Sequence, residues 1–204
     1  MTIGRGLTIV CALALVAYSA FRLYPRDHHT VLLYGDSITD ISADVLHRDL
    51  DPDFAVTISG VSGARVDQRL PDAPKFAALQ TSQVVINLGT NNLFQQWSLD
   101  ATEKDLVQLA ESFPNADCIH LVTMNIDFVN FNQPDLTQRA QQLNAWILAT
   151  ASDRGWYVIR WDLEVRQYDL STQPEGPITS DSVHPTLAGQ HRLAGLYRDA
   201  LARC

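Results

Sequence analysis

The chain has 204 residues, 46% hydrophobic and 19% charged, with a formal net charge of −8 at pH 7. This is the composition of an ordinary globular protein long enough to bury a core without staples. It argues against a phosphate-backbone binder, which needs a concentrated basic surface; no Lys/Arg run occurs, so nucleic acid is not expected as a partner.

Residues 1–28 read as a segment separate from a single domain over 29–204. Arg5 precedes a mostly apolar stretch from Leu7 to Phe21, the pattern of a secretory h-region. Ala17-Tyr18-Ser19 supplies small residues for cleavage. A spanning helix needs about 20 apolar residues. Residues 7–23 come close, with Arg22 free to snorkel. The segment is therefore expected to be a cleaved signal or a short membrane anchor, and the domain to be exported to the cell envelope. Arg22 and Arg26 offset Arg5, so the positive-inside comparison is weak. Thr8-Ile9-Val10 lacks the small residue expected before a lipidated cysteine, which argues against lipidation of Cys11.

Beyond this segment, short apolar runs alternate with helical patterns. Strands are expected at 31–34, 54–58, 84–88, 119–122 and 157–159. Such β-branched, nearly continuous runs suit strands covered on both faces. Helices are expected over about 40–50, 99–112, 135–153 and from Thr186 onward, with Gly155 stopping the third. The rhythm predicts an α/β fold: about five parallel strands with helices on both faces and right-handed crossovers. Residues 127–135 and 166–182 read as long irregular segments and candidate walls of a site.

Polar clusters fall where strands end. Gly35-Asp36-Ser37-Ile38 follows the first, Gly60-Val61-Ser62-Gly63 the second, and Gly89-Thr90-Asn91-Asn92 the third. Asp181-Ser182-Val183-His184 precedes the last helix. In a parallel sheet ligands sit outside the carboxyl ends of the strands, so all these clusters should meet at one edge. A serine hydroxyl becomes a nucleophile only when a base takes its proton. His184 can do so near neutral pH, with Asp181 orienting its other ring nitrogen. The Ser37 amide, the Gly63 amide and the Asn91 side chain would donate to an oxyanion. Gly63 has no Cβ to obstruct a substrate.

These clusters resemble the blocks of the SGNH/GDSL hydrolase superfamily, over about residues 31–201. The resemblance implies a three-layer α/β/α, flavodoxin-like fold. It implies Ser37 as nucleophile and oxyanion donor, Gly63 and Asn91 as the other donors, His184 as base and Asp181 as its orienter. It implies no metal or organic cofactor, and O-acyl esters of glycans or lipids, or short acyl esters, as substrates. Asn144 and Asp162 stand where related sequences often carry structural polar contacts. Ile38 replaces the Leu of the family's name. Asn92 stands where an Asp often follows the oxyanion Asn, keeping the hydrogen bonds but not the charge. Acyl transfer to a sugar or lipid hydroxyl would use the same residues, and a non-catalytic binding domain is a third reading.

Other residues read more simply. Gly60-Val61-Ser62-Gly63 is one residue short of a nucleophile elbow, so Ser62 is expected in a turn. Asp49, Asp51 and Asp53 lack the glycine and Glu of a calcium loop and read as an acidic turn. His28 and His29 read as solvated, and His47, His120 and His191 lack metal-ligand spacing. Phe94, Trp97 and Phe128 read equally as pocket wall or loop packing. Cys118 is expected as a buried thiol and Cys204 as a frayed terminus; a bond between them needs an oxidising compartment and close Cα atoms.

Overall fold

The computed structural model describes residues 30–128, 131, 133, 135–169 and 177–204. The N-terminal segment, with Cys11, His28 and His29, lies outside the described residues, as do parts of the two segments expected to be irregular.

The five strands are β1 (Thr30–Gly35), β2 (Ala55–Gly60), β3 (Gln83–Asn87), β4 (Cys118–Val122) and β5 (Tyr157–Ile159). All pairings are parallel, in the order β2-β1-β3-β4-β5. That is the flavodoxin-like order, whose switch point lies between β1 and β3. β1 shows why the runs are continuously apolar. Side chains alternate faces along a strand. Val31 and Leu33 enter one core, and Leu32 and Tyr34 enter the other.

The first core is closed by α2 (Ala43–Leu50), α8 (Trp161–Asp169) and α9 (Leu187–Leu201), through Leu46, Trp161, Val165, Leu193 and Tyr197. The second is closed by α6 (Leu99–Glu111) and α7 (Leu136–Arg154), through Leu106, Leu109, Leu143 and Ile147. The short α3 (Val66–Arg69) and α4 (Ala73–Ala77) cover the same face. The result is three layers, with β1, β3 and β4 buried and the edge strands β2 and β5 partly exposed.

Local chemistry sets the helix ends. Thr186 Oγ1 accepts from the Gly189 amide at 3.2 Å, and Ser98 Oγ accepts from the Ala101 amide at 3.3 Å. Gly155, at φ +68°, ends α7 where the sequence expects a stop. The helix expected over 40–50 is two, α1 (Ser37–Ile41) and α2, joined at the buried Ser42.

Two expectations are corrected. Residues 166–169 are helical, because Trp161, Val165 and Tyr168 recur at helical spacing and all are buried. Cys118 and Cys204 form a disulfide with Cα atoms 6.2 Å apart. Cys118 opens β4 at the amino edge of the sheet, and α9 returns the chain to that edge. The terminus is therefore tied down and not frayed.

Candidate active site

The four polar clusters converge at the carboxyl edge of the sheet. Ser37 is the first residue of α1, directly after β1. The loop before α9 folds back on itself through the Ser180 amide to the His184 carbonyl (2.9 Å) and a bridge between Thr179 and Pro185. Asn125, just past β4, donates to the Ser182 carbonyl at 2.7 Å and anchors this loop to the sheet. The loop delivers His184 Nε2 to 3.0 Å from Ser37 Oγ, across 147 residues of sequence.

Asp181 holds the histidine from behind. Its Oδ2 lies 2.7 Å from His184 Nδ1, while its Oδ1 accepts from the amides of Val183 (2.9 Å) and His184 (2.7 Å). Burial acts to raise the Asp181 pKa, but the His184 amide, the His184 ring and the Val183 amide outweigh it and hold the carboxyl below its usual value. An ionised Asp181 can only accept, so Nδ1 carries the ring proton and Nε2 presents its lone pair to Ser37.

The other residues expected as oxyanion donors follow β2 and β3, at the same edge of the sheet. Gly63 is at φ +76°, open to solvent, with nothing within 4 Å of where a Cβ would stand. Its amide has no acceptor among the described residues. The turn that carries it is held at three points. Ser62 Oγ donates to Asp40 Oδ2 at 2.8 Å, Gln95 Nε2 donates to the Gly63 carbonyl at 3.0 Å, and the Val66 amide donates to Asn92 Oδ1 at 3.0 Å. Ser62 is thus a turn residue. Asn92 supplies the neutral acceptor expected of it, from a fully buried position.

Asn91 lies in α5 (Thr90–Phe94), which starts after Gly89 at φ +127°. A Cβ at Gly89 would meet Met124 Sδ at 2.9 Å, and its positive φ strains any other residue there. Asn91 Nδ2 donates to Asp36 Oδ2 at 3.0 Å. Asp36 is fully buried, and its Oδ1 caps α1 by accepting from the Ile38 amide at 3.0 Å. Burial pushes its pKa from 3.8 up to about 7, against the Ile38 amide, Asn91 and the nearby His184. Composition gave Asp36 no role beyond its place beside the nucleophile. The available signal was a carboxylate at the N-cap of the helix that Ser37 begins.

The remaining candidates make the following contacts. Asn144 exchanges two hydrogen bonds with the Met124 backbone, at 2.9 and 2.7 Å. Asp162 accepts from Thr123 at 2.6 Å and from Arg160 twice at 2.8 Å. His191 pairs with Asp49 at 2.6 Å and Arg48 at 3.0 Å on the surface between α2 and α9. His120 is buried against Gln83 (3.0 Å) and Tyr157. Phe94 and Phe128 meet edge to face, 5.4 Å apart, and pack against both cores. Trp97 stays exposed, with the Arg65 guanidinium 4.1 Å from its ring centroid. No group of three metal-ligating side chains occurs among the described residues. No helix among the described residues is long and apolar enough to cross a membrane.

The sequence model of the GDSL-like lipase/acylhydrolase family matches residues 33–192. No curated protein matches the sequence significantly. Similar solved structures include a GDSL-like lipase from Bacteroides thetaiotaomicron: TM-score 0.74, 23% identity, over 87% of this chain and 90% of that one. A protein described as an acylhydrolase from Bacteroides fragilis aligns with TM-score 0.74 and 23% identity, over 87% and 88% of the two chains. An acetylxylan esterase from Geobacillus stearothermophilus aligns with TM-score 0.70 and 22% identity, over 85% and 94%. At these identities the likeness is one of fold.

Proposed function

Given that the chain belongs to the GDSL-like lipase/acylhydrolase family and is an SGNH-type esterase, we propose that it cleaves O-acyl esters of cell-envelope glycans or lipids through an acyl-Ser37 intermediate. The observation that carries this reading is the unbroken line from Ser37 Oγ through the His184 ring to Asp181, at 3.0 and 2.7 Å.

Ser37 Oγ attacks the ester carbonyl while His184 Nε2 takes its proton. Asp181 stays ionised and stabilises the imidazolium. The carbonyl oxygen becomes an oxyanion and takes hydrogen bonds from the Ser37 and Gly63 amides and from Asn91 Nδ2. His184 then protonates the departing alcohol. Water enters, gives its proton to His184, and releases the acid. Every proton has a stated carrier, and no metal or organic cofactor is required.

The glycan choice is supported by a depression of about 420 Å³ beside the Gly63 turn, walled partly by Ser62, Gln68 and Asp72. Polar side chains there suit a hydroxyl-rich alcohol better than an alkyl chain. The acetylxylan esterase among the structural neighbours is in keeping with this choice. Export is supported by the Cys118–Cys204 disulfide, which persists in an oxidising compartment. Residues 7–23 would deliver the domain to the membrane or hold it there.

The test is activity across acetylated xylo-oligosaccharides and aryl esters of graded acyl length, with Ser37→Ala as control. Acetyl release from the sugars, abolished in Ser37→Ala, is expected. Turnover of long-chain aryl esters alone would overturn the glycan assignment. Turnover unchanged in Ser37→Ala would overturn the mechanism.

A further inference from the structure

A carboxyl group fully removed from water normally has a cationic partner or a full set of donors. Asp36 has neither. Each of its oxygens takes one neutral donor, the Ile38 amide on Oδ1 and the Asn91 amide on Oδ2. Its own amide donates to the Asn87 carbonyl at the end of β3 at 3.3 Å. The titratable groups that bear on it are His184 from the loop before α9 and Tyr197 from α9. Tyr197 Oη accepts from Asn87 Nδ2 at 2.9 Å. No Lys or Arg ion-pairs with Asp36 among the described residues. A helix cap alone does not require a buried carboxyl, because serine or asparagine caps as well.

We propose that Asp36 is a positioning residue for the esterase reaction, and that its ionised carboxylate locks the Asn91 side-chain amide with the NH2 end facing inward. This rests on the reading of Asn91 as an oxyanion donor. The two ends of an asparagine amide have nearly the same shape, so sterics alone do not fix which end faces a partner. An ionised carboxylate can only accept. It therefore admits only the NH2 end and leaves the second N–H of Asn91 for the oxyanion. A protonated Asp36 can donate to the Asn91 carbonyl instead. The amide then turns over, and its carbonyl oxygen repels the developing negative charge. Burial moves the Asp36 ionisation up to about 7, into the working range of an esterase. Turnover thus requires an ionised Asp36 in addition to a His184 Nε2 free to take the Ser37 proton.

The test is the pH dependence of kcat for an aryl acetate in the wild type, Asp36→Asn, Asn91→Ala and the double variant. Asparagine at 36 keeps the shape and can still cap α1, but it offers both donor and acceptor. The expected result for Asp36→Asn is a loss in kcat of about 10- to 100-fold, part of the cost of losing one oxyanion donor, with KM nearly unchanged. The acid limb should be steeper by one proton in the wild type than in Asp36→Asn. Asp36→Asn should cost nothing further once Asn91 is alanine. Full kcat in Asp36→Asn, or losses that multiply in the double variant, overturns the proposal. Should Asp36→Asn not fold, Asn91→Ala decides, and an acid limb as steep in Asn91→Ala as in the wild type overturns it. If Ser37→Ala remains active, the esterase mechanism falls as well. If Ser37→Ala is dead and Asp36→Asn behaves as wild type, only the role of Asp36 falls.

Discussion

Cys118 and Cys204 join the first residue of β4 to the end of the chain, across 86 residues. Breaking the bond in Cys204→Ser should destabilise the domain chiefly by freeing the unfolded chain. For a loop of this size the chain-entropy relation gives about 15 cal/mol/K, or about 4.5 kcal/mol at 25 °C. At about 2–4 °C per kcal/mol for a domain of this length, the midpoint of thermal unfolding should fall by about 9–18 °C. The assay is urea unfolding followed by tryptophan fluorescence, comparing wild type, Cys204→Ser, and wild type with reductant. The m-value should rise as well, because an uncrosslinked unfolded chain exposes more surface. Activity at 25 °C should survive, since the bond lies at the amino edge of the sheet and Ser37 at the carboxyl edge. A loss below about 1 kcal/mol would refute the entropic argument. Loss of activity in protein that is still folded would refute the separation of the two edges.

Other outcomes follow from the same structure. Asn91→Ala should lower kcat by about 10²–10³ with little change in Tm, as read by steady-state kinetics and thermal melts. Asp181→Asn should lower kcat by roughly 10⁴, because an amide no longer selects the tautomer with the proton on His184 Nδ1. Two buried groups should give opposite pH dependences of stability. Burial, with help from Arg203, lowers the His120 pKa from 6.5 to about 4, so its contribution of about 3 kcal/mol is present above 6.5 and lost as pH falls through 4. Burial raises the Asp36 pKa from 3.8 to about 7, so about 4 kcal/mol is present below 3.8 and lost as pH rises through 7. The two nearly cancel between pH 4 and 7. Denaturant titrations should show stability falling with pH in His120→Asn and rising with pH in Asp36→Asn. Parallel curves for wild type and both variants would contradict this pairing.

The strands were legible because a parallel sheet covered on both faces demands continuous apolar runs, as in Val31, Leu32, Leu33 and Tyr34. Ser37, Gly63, Asn91 and His184 were legible as a group because such a sheet brings every strand end to one edge. The geometry of the SGNH hydrolase fold then places Ser37 against His184. Several features were not legible. α8 is rich in polar residues, and its buried stripe of Trp161, Val165 and Tyr168 is narrow. The region of α3 and α4 contains Pro71 and Pro74, which act in sequence as breakers, but Pro71 sits in a 3-10 turn (Leu70–Asp72) between the two helices and Pro74 in the first turn of α4. The disulfide depends on where α9 ends relative to β4, which no local pattern encodes. The Asp36–Asn91 bond joins residues 55 apart through a buried contact that periodicity does not register.

Of the serines near the carboxyl edge of the sheet, Ser37 carries the hydroxyl that His184 is placed to activate. This assignment is tested most directly by reacting the folded protein with a fluorophosphonate and locating the adduct by mass spectrometry. One adduct is expected, on Ser37, absent in Ser37→Ala and strongly slowed in His184→Ala. An adduct on Ser62 or another serine, or none in protein that hydrolyses esters, would contradict the assignment.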